Sequence, residues 1–367
     1  MVSGVRRVDV LVVGAGQAGL GAAQALARTP GLELLVLEAA DALGQSWVDR
    51  WDSLRLFTPR WFSALPGLRF PAGVGRSPTR LEMAGYLTRY ADRHGLPVEL
   101  GVRVDQITSA ATGFEVQTSG GALLARQVVI ATGPFHQGHV PACAADLDPS
   151  VHQLHSGDYH RPGELPGGAV TLVGGGNSAA QLAIELARTH QVTLVSPGPP
   201  WFLPESILGL SMYWWTLATG VLNAPAQARV SRYVRRRGDA IVGRDLAVLV
   251  KAGTVRLLPH RVVAAAGTEL TLQDGSTLPV TSVLWCTGFR PDYRWLAVPG
   301  ALTADGQPAH TAGASPVRGL HWIGLPWQTR LNSSIINGID RDARALARTV
   351  TDQLRRRIAR EGPGSPP

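Results

Sequence analysis

Residues 8–19 read VDVLVVGAGQAG, and they indicate the architecture of the first part of the chain. The apolar run 8–13 is typical of a strand that is buried on both faces. It leads into Gly14, Gly16 and Gly19, spaced as GxGxxG, at the start of an alanine-rich helix predicted for 18–28. The first glycine permits a tight turn, the second lets a pyrophosphate approach the backbone, and the third lets the helix pack on the strand. The segment therefore predicts a dinucleotide-binding βαβ unit.

The next strand of this unit is predicted at 33–38, and it ends on Glu38. A carboxylate at this place accepts hydrogen bonds from the hydroxyls of a ribose. Unpaired N–H groups at the start of the helix, where Gln17 lies, would hold the phosphates. Because strand, glycine turn, helix and acidic residue are in register, a bound dinucleotide is a better interpretation than a plain glycine turn.

The same pattern occurs a second time. A strand at 169–173, a helix at 178–188 and a strand at 191–195 surround Gly174, Gly176 and Ala179, which read GxGxxA. Alanine at the third position is a known variant of this motif. Ser196, Pro197 and Gly198 follow the last strand, without an acidic residue for a 2′-hydroxyl or an arginine for a 2′-phosphate. The motif predicts a nicotinamide cofactor, and the choice between NADPH and NADH stays open.

The remaining pattern predicts an α/β fold in which two Rossmann-like dinucleotide-binding domains, of the three-layer β/β/α type, share one chain and the second is inserted into the first. Further elements are a helix at 81–93, strands at 102–107, 114–118, 127–130 and 283–285, a hairpin at Asp274-Gly275, and a last helix at 339–357. The predicted division is 1–164 and 285–358 for the first domain, 165–284 for the second, and 359–367 for a disordered tail. An aromatic, lid-like insertion is expected at about 200–240.

Composition excludes several classes of protein. A chain of 367 residues with 45% hydrophobic and 17% charged residues is neither disordered nor a small disulfide scaffold. Its two cysteines, Cys143 and Cys286, form no CxxC pair, which favours a reducing cytoplasmic compartment. The net charge of +8 comes from mostly scattered arginines without interleaved aromatic residues, so nucleic acid is not an expected partner.

Two segments leave alternatives open. Residues 207–222 are apolar and contain Trp214 and Trp215, but they are too short to cross a bilayer. We expect a buried or lid helix over the substrate cleft; shallow membrane contact and a homodimer face are the alternatives, and no stable membrane insertion is expected. His152, His155 and His160 are predicted to lie in a connector loop, a role in the chemistry is the open alternative, and no metal site is expected there.

The two cores, their endings Thr132-Gly133 and Thr287-Gly288, and the Gly-Asn-Ser at 176–178 resemble short bacterial members of the class B flavin-containing monooxygenase superfamily. The resemblance extends to Gly44 through Pro59, Gly324–Trp327 and Ser333–Ala343. The chain departs from the family pattern at Pro149 and Val151, where a Phe-x-Gly is usual, and at Thr58 and Pro59, where longer members have an asparagine.

This resemblance implies a set of site residues. FAD would contact Gly14, Gly16, Gln17, Gly19, Glu38, Gln45, Trp47, Arg55, Thr58, Val104, Ala131, Thr132, Gly133 and Gly324. NAD(P)H would contact Gly174, Gly176, Asn177, Ser178, Gln181, Ser196, Thr287 and Gly288. No catalytic side chain is implied with certainty, because the flavin carries the chemistry; Thr58, Asn332 and Ser333 are the candidates beside it.

The implied function is that of an NAD(P)H-dependent flavoprotein monooxygenase. In the family, reduced flavin captures O₂ at C4a as a (hydro)peroxide and passes one oxygen atom to sulfur, nitrogen or a ketone carbonyl of a small organic substrate. Two dinucleotide sites in one chain also fit a flavin reductase or diaphorase that passes electrons to a quinone or a redox protein. A non-catalytic redox sensor is the third interpretation.

Overall fold

The computed structural model describes residues 5–238 and 240–361, with side chains as far as Arg356. The strands are β1 (Arg6–Val13), β2 (Leu34–Leu37), β3 (Val98–Glu99), β4 (Val104–Ala110), β5 (Gly113–Thr118), β6 (Gly121–Ile130), β7 (Gln137–Gly138), β8 (His152–His155), β9 (Ala169–Val173), β10 (Gln191–Val195), β11 (Phe202–Leu203), β12 (Ser206–Ile207), β13 (Leu210–Ser211), β14 (Ile241–Val242), β15 (Val255–Leu258), β16 (Val262–Ala266), β17 (Glu269–Leu272), β18 (Thr277–Pro279), β19 (Ser282–Trp285), β20 (Phe289–Arg290), β21 (Leu296–Ala297) and β22 (Leu320–Trp322). The helices are α1 (Gln17–Leu26), α2 (Gln45–Val48), α3 (Arg80–His94), α4 (Asn177–Leu186), α5 (Met212–Ala218), α6 (Arg229–Arg237), α7 (Asp245–Lys251) and α8 (Ile339–Glu361).

The first sheet has the strand order β21-β4-β5-β6-β1-β2-β3, and β22 also pairs with β6. β1 pairs in parallel with β2 on one side and with β6 on the other. The ten-residue β6 also pairs antiparallel with β5. One strand therefore joins the parallel sheet to an antiparallel one.

The two faces of β1 contact different layers. Val10 and Val12 pack in one hydrophobic cluster with Leu20 of α1 and Ile339 of α8. Leu11 packs in a second cluster that contains the side chains of the antiparallel strands β4 and β5. Helices thus cover one face and β-strands the other, which confirms the α/β fold of Rossmann type with β/β/α layers.

The second sheet repeats this plan. Its five strands have the order β15-β10-β9-β19-β8 and all pair in parallel. Leu172 and Leu194 pack in the same cluster as Leu182 of α4. On the other face, Val173 and Trp285 pack with the side chains of the hairpin strands β16–β18. The chain crosses between the sheets at β7 and β20, which pair with each other antiparallel.

The structure corrects the prediction for two of the three histidines that were expected in a loop. His152 and His155 lie on β8, the edge strand of the second sheet, and not in a loop. His160 lies outside that strand. The predicted division assigned all residues up to 164 to the first domain, whereas β8 pairs in the second sheet. The residues of β8 alternate only weakly between apolar and polar, and its partner strand β19 is distant in sequence. The local sequence pattern therefore does not reveal β8.

The structure also corrects the single helix expected at 207–222. Residues 206–211 form the hairpin β12–β13, and the helix α5 covers only Met212–Ala218. Leu208 and Gly209 both have positive φ angles, 50° and 76°, and together make the turn that interrupts the helical pattern. The insertion is held by β11, which pairs with β14.

The last helix is longer than predicted. α8 continues to Glu361, so the first three residues of the expected tail are helical. The rest of that tail, 362–367, lies outside the described residues. Within the described ranges, no helix has the length and hydropathy that a membrane span requires.

Candidate dinucleotide-binding sites

The first glycine turn has contacts that leave little room for side chains. Gly14 has a φ of +97°, and a Cβ there would lie 3.1 Å from the carbonyl oxygen of Ala131. A Cβ on Gly19 would lie 1.8 Å from the carbonyl oxygen of Gly14. A Cβ on Gly16, in contrast, would meet nothing within 4 Å. The turn is therefore tight where backbone meets backbone and open at its middle glycine, where a phosphate needs space.

Helix α1 begins with free backbone donors at this opening. Gly16 is its N-cap, no side chain caps it, and its first turn contains no acidic residue. The first N–H groups of a helix lack intrahelical acceptors, and the positive end of the helix dipole favours an anion there. The turn and the helix end together form a phosphate cradle.

Glu38 lies at the end of β2, beside this cradle. Its Oε2 accepts from the Ala15 N–H at 2.7 Å, and its Oε1 accepts from the Ala40 N–H at 3.1 Å. Each carboxylate oxygen has a further lone pair that can accept a ribose hydroxyl. The backbone oxygen of Glu38 accepts from the Val102 N–H at 2.9 Å, so the segment that leads to the predicted contact Val104 lies next to it.

Four further predicted FAD contacts lie in the tryptophan-containing segment 44–59. They are Gln45, Trp47, Arg55 and Thr58. Gly44 has a φ of +76°, and a Cβ there would lie 2.6 Å from the Cα of Ala84 in α3. Trp47 packs against the core, and the Gln45 amide donates to Asp49 at 2.6 Å. Thr58 is buried, with its Oγ1 2.8 Å from the Oγ of Ser63. The fourth, Arg55, is described below with its partner.

The Thr132-Gly133 segment that follows β6 contains a hydroxyl group that makes no hydrogen bond to the described residues. Thr132 Oγ1 is buried and has no hydrogen-bond partner. The carbonyl of its neighbour Gly133 accepts from the hydroxyl of Tyr293 at 3.1 Å. A Cβ on Gly324 would lie 2.6 Å from the Cβ of Ala18, so the closing strand reaches α1. An open cradle, a carboxylate with free lone pairs and an unpartnered buried hydroxyl fit a bound FAD.

The second glycine turn has the same backbone plan. A Cβ on Gly174 would lie 2.3 Å from the carbonyl oxygen of Cys286, and a Cβ on Gly176 would meet nothing within 4 Å. Gly176 is the N-cap of α4, again without a side-chain cap or an acidic first turn. The third position is Ala179, which is buried. This turn therefore fits the phosphates of a second nucleotide.

The side chains of two predicted NAD(P)H contacts in α4 hydrogen-bond to other parts of the protein. The Asn177 amide donates to the Ala240 carbonyl at 2.9 Å, and its Oδ1 accepts from the Val242 N–H at 3.2 Å. The Gln181 amide donates to the Arg55 carbonyl at 3.0 Å and accepts from the Arg55 N–H at 3.4 Å. Their side chains link the second cradle to the insertion and to the first domain.

The end of β10 differs from the end of β2. Ser196 is buried, and its hydroxyl donates to the Gly198 carbonyl. The hydroxyl of Thr287 donates to the carbonyl of His139, and the Gly288 carbonyl accepts from the His139 N–H at 2.8 Å. Thr287 therefore differs from Thr132, whose hydroxyl is free. Ser178, the other predicted contact, is partly exposed in the first turn of α4.

The segment before α8 holds the last two candidates. Asn332 is buried, and its amide donates to the Oδ1 of Asn223 in the insertion at 3.3 Å. Ser333 Oγ accepts from two backbone N–H groups, those of Thr329 and Arg330, both at 3.1 Å. The Ser333 hydroxyl also lies 3.2 Å from the Thr329 hydroxyl. Both residues order the turn that leads into the helix.

Sequence reasoning missed two buried groups near the start of α8. Asp342 is 5% exposed; its Oδ1 accepts from the Thr329 hydroxyl at 2.5 Å, and its Oδ2 has no partner. Asn337 Oδ1 is also buried without a partner. A helix start rich in Asp and Asn was the available signal.

Comparison with known proteins decides the family. The sequence profile of a family described as pyridine nucleotide-disulphide oxidoreductase matches residues 11–324. The chain belongs to this family. An uncharacterized CzcO-like oxidoreductase of Geobacillus kaustophilus is 37% identical over 343 residues, which cover 94% of this chain and 98% of that protein.

Two further proteins extend the comparison. The structure of a flavin-containing monooxygenase from Stenotrophomonas maltophilia has a TM-score of 0.80 and 29% identity, covering 95% of this chain and 100% of that chain. The indole-3-pyruvate monooxygenase YUCCA1 of Oryza sativa is 31% identical over 238 residues, 64% of this chain and 58% of that protein. These similarities confirm the resemblance to class B flavin monooxygenases and indicate an oxidoreductase that uses FAD and NAD(P).

The cysteines distinguish this family member from a dithiol enzyme. Cys143 and Cys286 are both free. Burial raises the pKa of Cys286 to about 12 and also raises the pKa of Cys143. Both are therefore protonated thiols at neutral pH, and a thiol is a poor nucleophile compared with a thiolate. The described residues thus contain no disulfide and no activated cysteine.

Proposed function

We propose that this chain is an NAD(P)H-dependent flavin monooxygenase that transfers one oxygen atom from O₂ to a small organic substrate. The Stenotrophomonas and rice proteins, which are named as monooxygenases, support the reaction class. Oxidation at sulfur or nitrogen and Baeyer–Villiger oxidation of a ketone are the candidate reactions.

The observation that carries this proposal is the pair of unlike cradles in one chain. The first has Glu38 hydrogen-bonded beside it, whereas the second has Ser196 at the equivalent place. A carboxylate that is already held by two N–H groups is preorganised to bind a ribose, and preorganisation raises affinity. We assign the first cradle to a retained FAD and the second to an exchanging NADPH or NADH.

FAD, when bound, accepts a hydride from reduced nicotinamide and then delivers electrons to O₂. The residues of this chain hold and orient the two nucleotides. The free N–H groups at the starts of α1 and α4 would bind the pyrophosphates. Thr132 Oγ1, which is buried without a partner, would donate to the flavin nucleotide. The remaining predicted contacts of both cofactors, and the division into two domains, stay part of the proposal.

The insertion would exclude water from the side of the site near Thr58. The Tyr213 hydroxyl donates to the carbonyl of Phe57, the preceding residue, at 3.1 Å. The rings of Tyr213 and Phe62 have centroids 4.7 Å apart, and both pack with Leu331 and Ile335 ahead of α8. When water is excluded from the site, transfer of oxygen to the substrate is favoured over release of the reduced oxygen into solvent.

A disulfide reductase is the other activity that the family description suggests, and the cysteines argue against it. The two thiols are free and protonated. Two unpaired cysteines also support a cytoplasmic location, where thiols stay reduced.

The test is a turnover assay under ¹⁸O₂ with purified holoenzyme. Thioethers, amines, ketones and indoles are offered with NADPH or NADH, and products are analysed by mass spectrometry. We expect one ¹⁸O atom in at least one product, with nicotinamide oxidation coupled to it. Release of all reduced oxygen as hydrogen peroxide, with rapid electron transfer to a quinone, would establish the reductase alternative. Absence of flavin reduction by either nicotinamide would establish the sensor.

A further inference from the structure

The hairpin and helix α5 of the insertion expose a group of large apolar side chains. Leu208 is 88% exposed, Leu210 53%, Trp214 51%, Ile207 40% and Trp215 36%. We call these five residues the apolar tip. Single exposed apolar residues are common on proteins, but a contiguous group marks a surface that contacts something else.

The apolar tip is ordered. The indole N–H of Trp215 donates to the carbonyl of Ile207 at 3.0 Å, which fixes the helix against the hairpin. A shallow depression of about 270 Å³ lies between Leu210, Trp214, Trp215 and Ala218. Leu208 has a φ of 50° and lies in the two-residue turn of the hairpin. Its exposure therefore belongs to a defined turn.

The surface continues onto the first domain. Trp61, which is 41% exposed, stacks on Trp214 with centroids 4.3 Å apart and 16° between the planes. Arg76 donates to the Glu205 carbonyl at 2.7 Å, and Arg60 donates to the carbonyl of the 89% exposed Val74 at 2.8 Å. The hairpin and helix α5 of the insertion therefore adjoin Trp61 and Arg76 of the first domain.

The two segments that meet at these contacts carry most of the protein's net charge. Residues 52–82 and 200–238 contain ten arginines and three carboxylates, a surplus of seven positive charges, and the whole chain has a net charge of +8. The three carboxylates, Asp52, Glu82 and Glu205, each pair with an arginine of these two segments. In the part of the chain that the structure describes, the other seven arginines have no carboxylate partner: Arg55, Arg69, Arg229, Arg232, Arg235, Arg236 and Arg237.

Helix α6 contributes five of these arginines. All five are exposed, as are Val230 and Tyr233, while Ser231 is buried. A helix that lies in a membrane interface typically combines arginines with exposed aliphatic and aromatic side chains. Exposed tryptophan is likewise favoured at the level of lipid headgroups.

We propose that the apolar tip and helix α6 dock this protein on the surface of an anionic phospholipid bilayer. The excess of arginines without a carboxylate partner matches negative headgroups, and the apolar tip matches the headgroup–acyl boundary. Two of these arginines, Arg235 and Arg237, stack on the rings of Trp327 and Trp201. A second copy of this chain is disfavoured, because a twofold interface brings the same patch of both subunits together and would oppose like charges. The docking requires no membrane-spanning helix and does not depend on the reaction catalysed.

The test is co-sedimentation of the purified holoenzyme with sucrose-loaded vesicles. One set contains phosphatidylcholine alone, and the other contains phosphatidylcholine with phosphatidylglycerol. We expect binding to the anionic set and at least about tenfold weaker binding to the neutral set. The double variant Leu208→Ser, Trp214→Ser should lose at least about tenfold in partition coefficient. Each of Arg232→Gln and Arg236→Gln should lose about fivefold.

Matched controls are Val263→Ser, an exposed valine on β16, and Arg348→Gln, an exposed arginine on α8. Both should bind as the unmodified protein does. Quenching of tryptophan fluorescence by brominated lipids in the unmodified protein provides a readout that needs no variant. Equal binding to both vesicle sets, equal losses in the control variants, or no quenching would overturn the proposal. So would a stable dimer by light scattering that Trp214→Ser separates, because a second copy would then cover the surface.

Discussion

The two glycine turns of this chain have nearly the same backbone and different surroundings. Helices α1 and α4 each have ten residues, each begins after an extended glycine, and each lacks a side-chain cap. The first turn has a carboxylate beside it, and a free buried hydroxyl on Thr132. The second has Ser196 and a hydroxyl on Thr287 that is already used. In the proposed function, the shared part would bind phosphate and the unshared part would determine which nucleotide stays bound.

The two turns also differ in what they connect to. The Asn177 and Gln181 amides tie α4 to the insertion and to the first domain. The side chain of Glu38, in contrast, bonds only within its own βαβ unit. A nucleotide that enters the second cradle therefore meets side chains that also contact other parts of the protein. This arrangement fits a cofactor that binds and dissociates in each catalytic cycle.

The largest expected effect is at the third position of the motif. Gly19→Ala places a Cβ 1.8 Å from the carbonyl oxygen of Gly14, so the helix must move away from the strand. We expect a loss of about 3 kcal/mol in the free energy of unfolding and a colourless protein. The matched change in the other turn, Ala179→Gly, should cost only about 1 kcal/mol and leave the flavin bound. Thermal unfolding and flavin absorbance measure both; equal effects would contradict the comparison.

The middle glycines test binding without folding. Gly16 and Gly176 have extended backbone angles and open space at the Cβ position, so we expect both to accept a side chain without unfolding. Gly16→Val should fold normally but contain no FAD, because the side chain occupies the place of the pyrophosphate. Gly176→Val should keep FAD and lose reduction by NADPH and NADH. Circular dichroism, flavin content and anaerobic reduction check these results, and a yellow Gly16→Val protein would refute the first assignment.

The next largest effect is expected at the carboxylate of Glu38. Glu38→Gln keeps the size of the side chain but removes the charge that accepts from Ala15 and from a ribose hydroxyl. Hydrogen bonds to charged groups contribute about 1.5–3 kcal/mol, so FAD should bind at least about tenfold more weakly. Titration of the apoprotein with FAD measures this, with Glu33→Gln, an exposed position next to the same strand, as the control. Equal affinities would show that the carboxylate does not contact the nucleotide.

The smallest change is in coenzyme preference. Ser196→Asp introduces a carboxylate at the end of β10, where Glu38 stands at the end of β2. A carboxylate accepts from a 2′-hydroxyl and repels a 2′-phosphate. We expect the ratio of kcat/KM for NADPH to that for NADH to fall about tenfold. Steady-state kinetics with each coenzyme measure the ratio, and an unchanged ratio would place the adenosine ribose elsewhere.

Sequence reasoning works best where the backbone itself is constrained. The strands at 169–173 and 191–195 match the structure residue for residue, and α1 and α4 begin within one residue of prediction. Glycines at fixed spacing leave one way to connect a strand to a helix, so the pattern is local. For the same reason the motif predicted the tight turn at Gly14, which has a φ of +97°, and the close packing at Gly19.

The rest depends on contacts between distant parts of the chain. Strand β8 exists because it pairs with β19, and no local pattern in His152–His155 shows this. The roles of Asn177 and Gln181 depend on where the insertion and Arg55 pack against α4. A motif gives residue types at a spacing, but it does not show which side chains the protein uses for itself.

The most direct test of the account is to identify the nucleotides that the purified protein retains. The protein is dialysed, denatured, and its released nucleotides are quantified by chromatography and mass spectrometry. The account predicts one FAD per chain and almost no NADP or NAD, because only the first cradle retains its ligand. Absence of FAD, or two retained nucleotides of the same kind per chain, would contradict it.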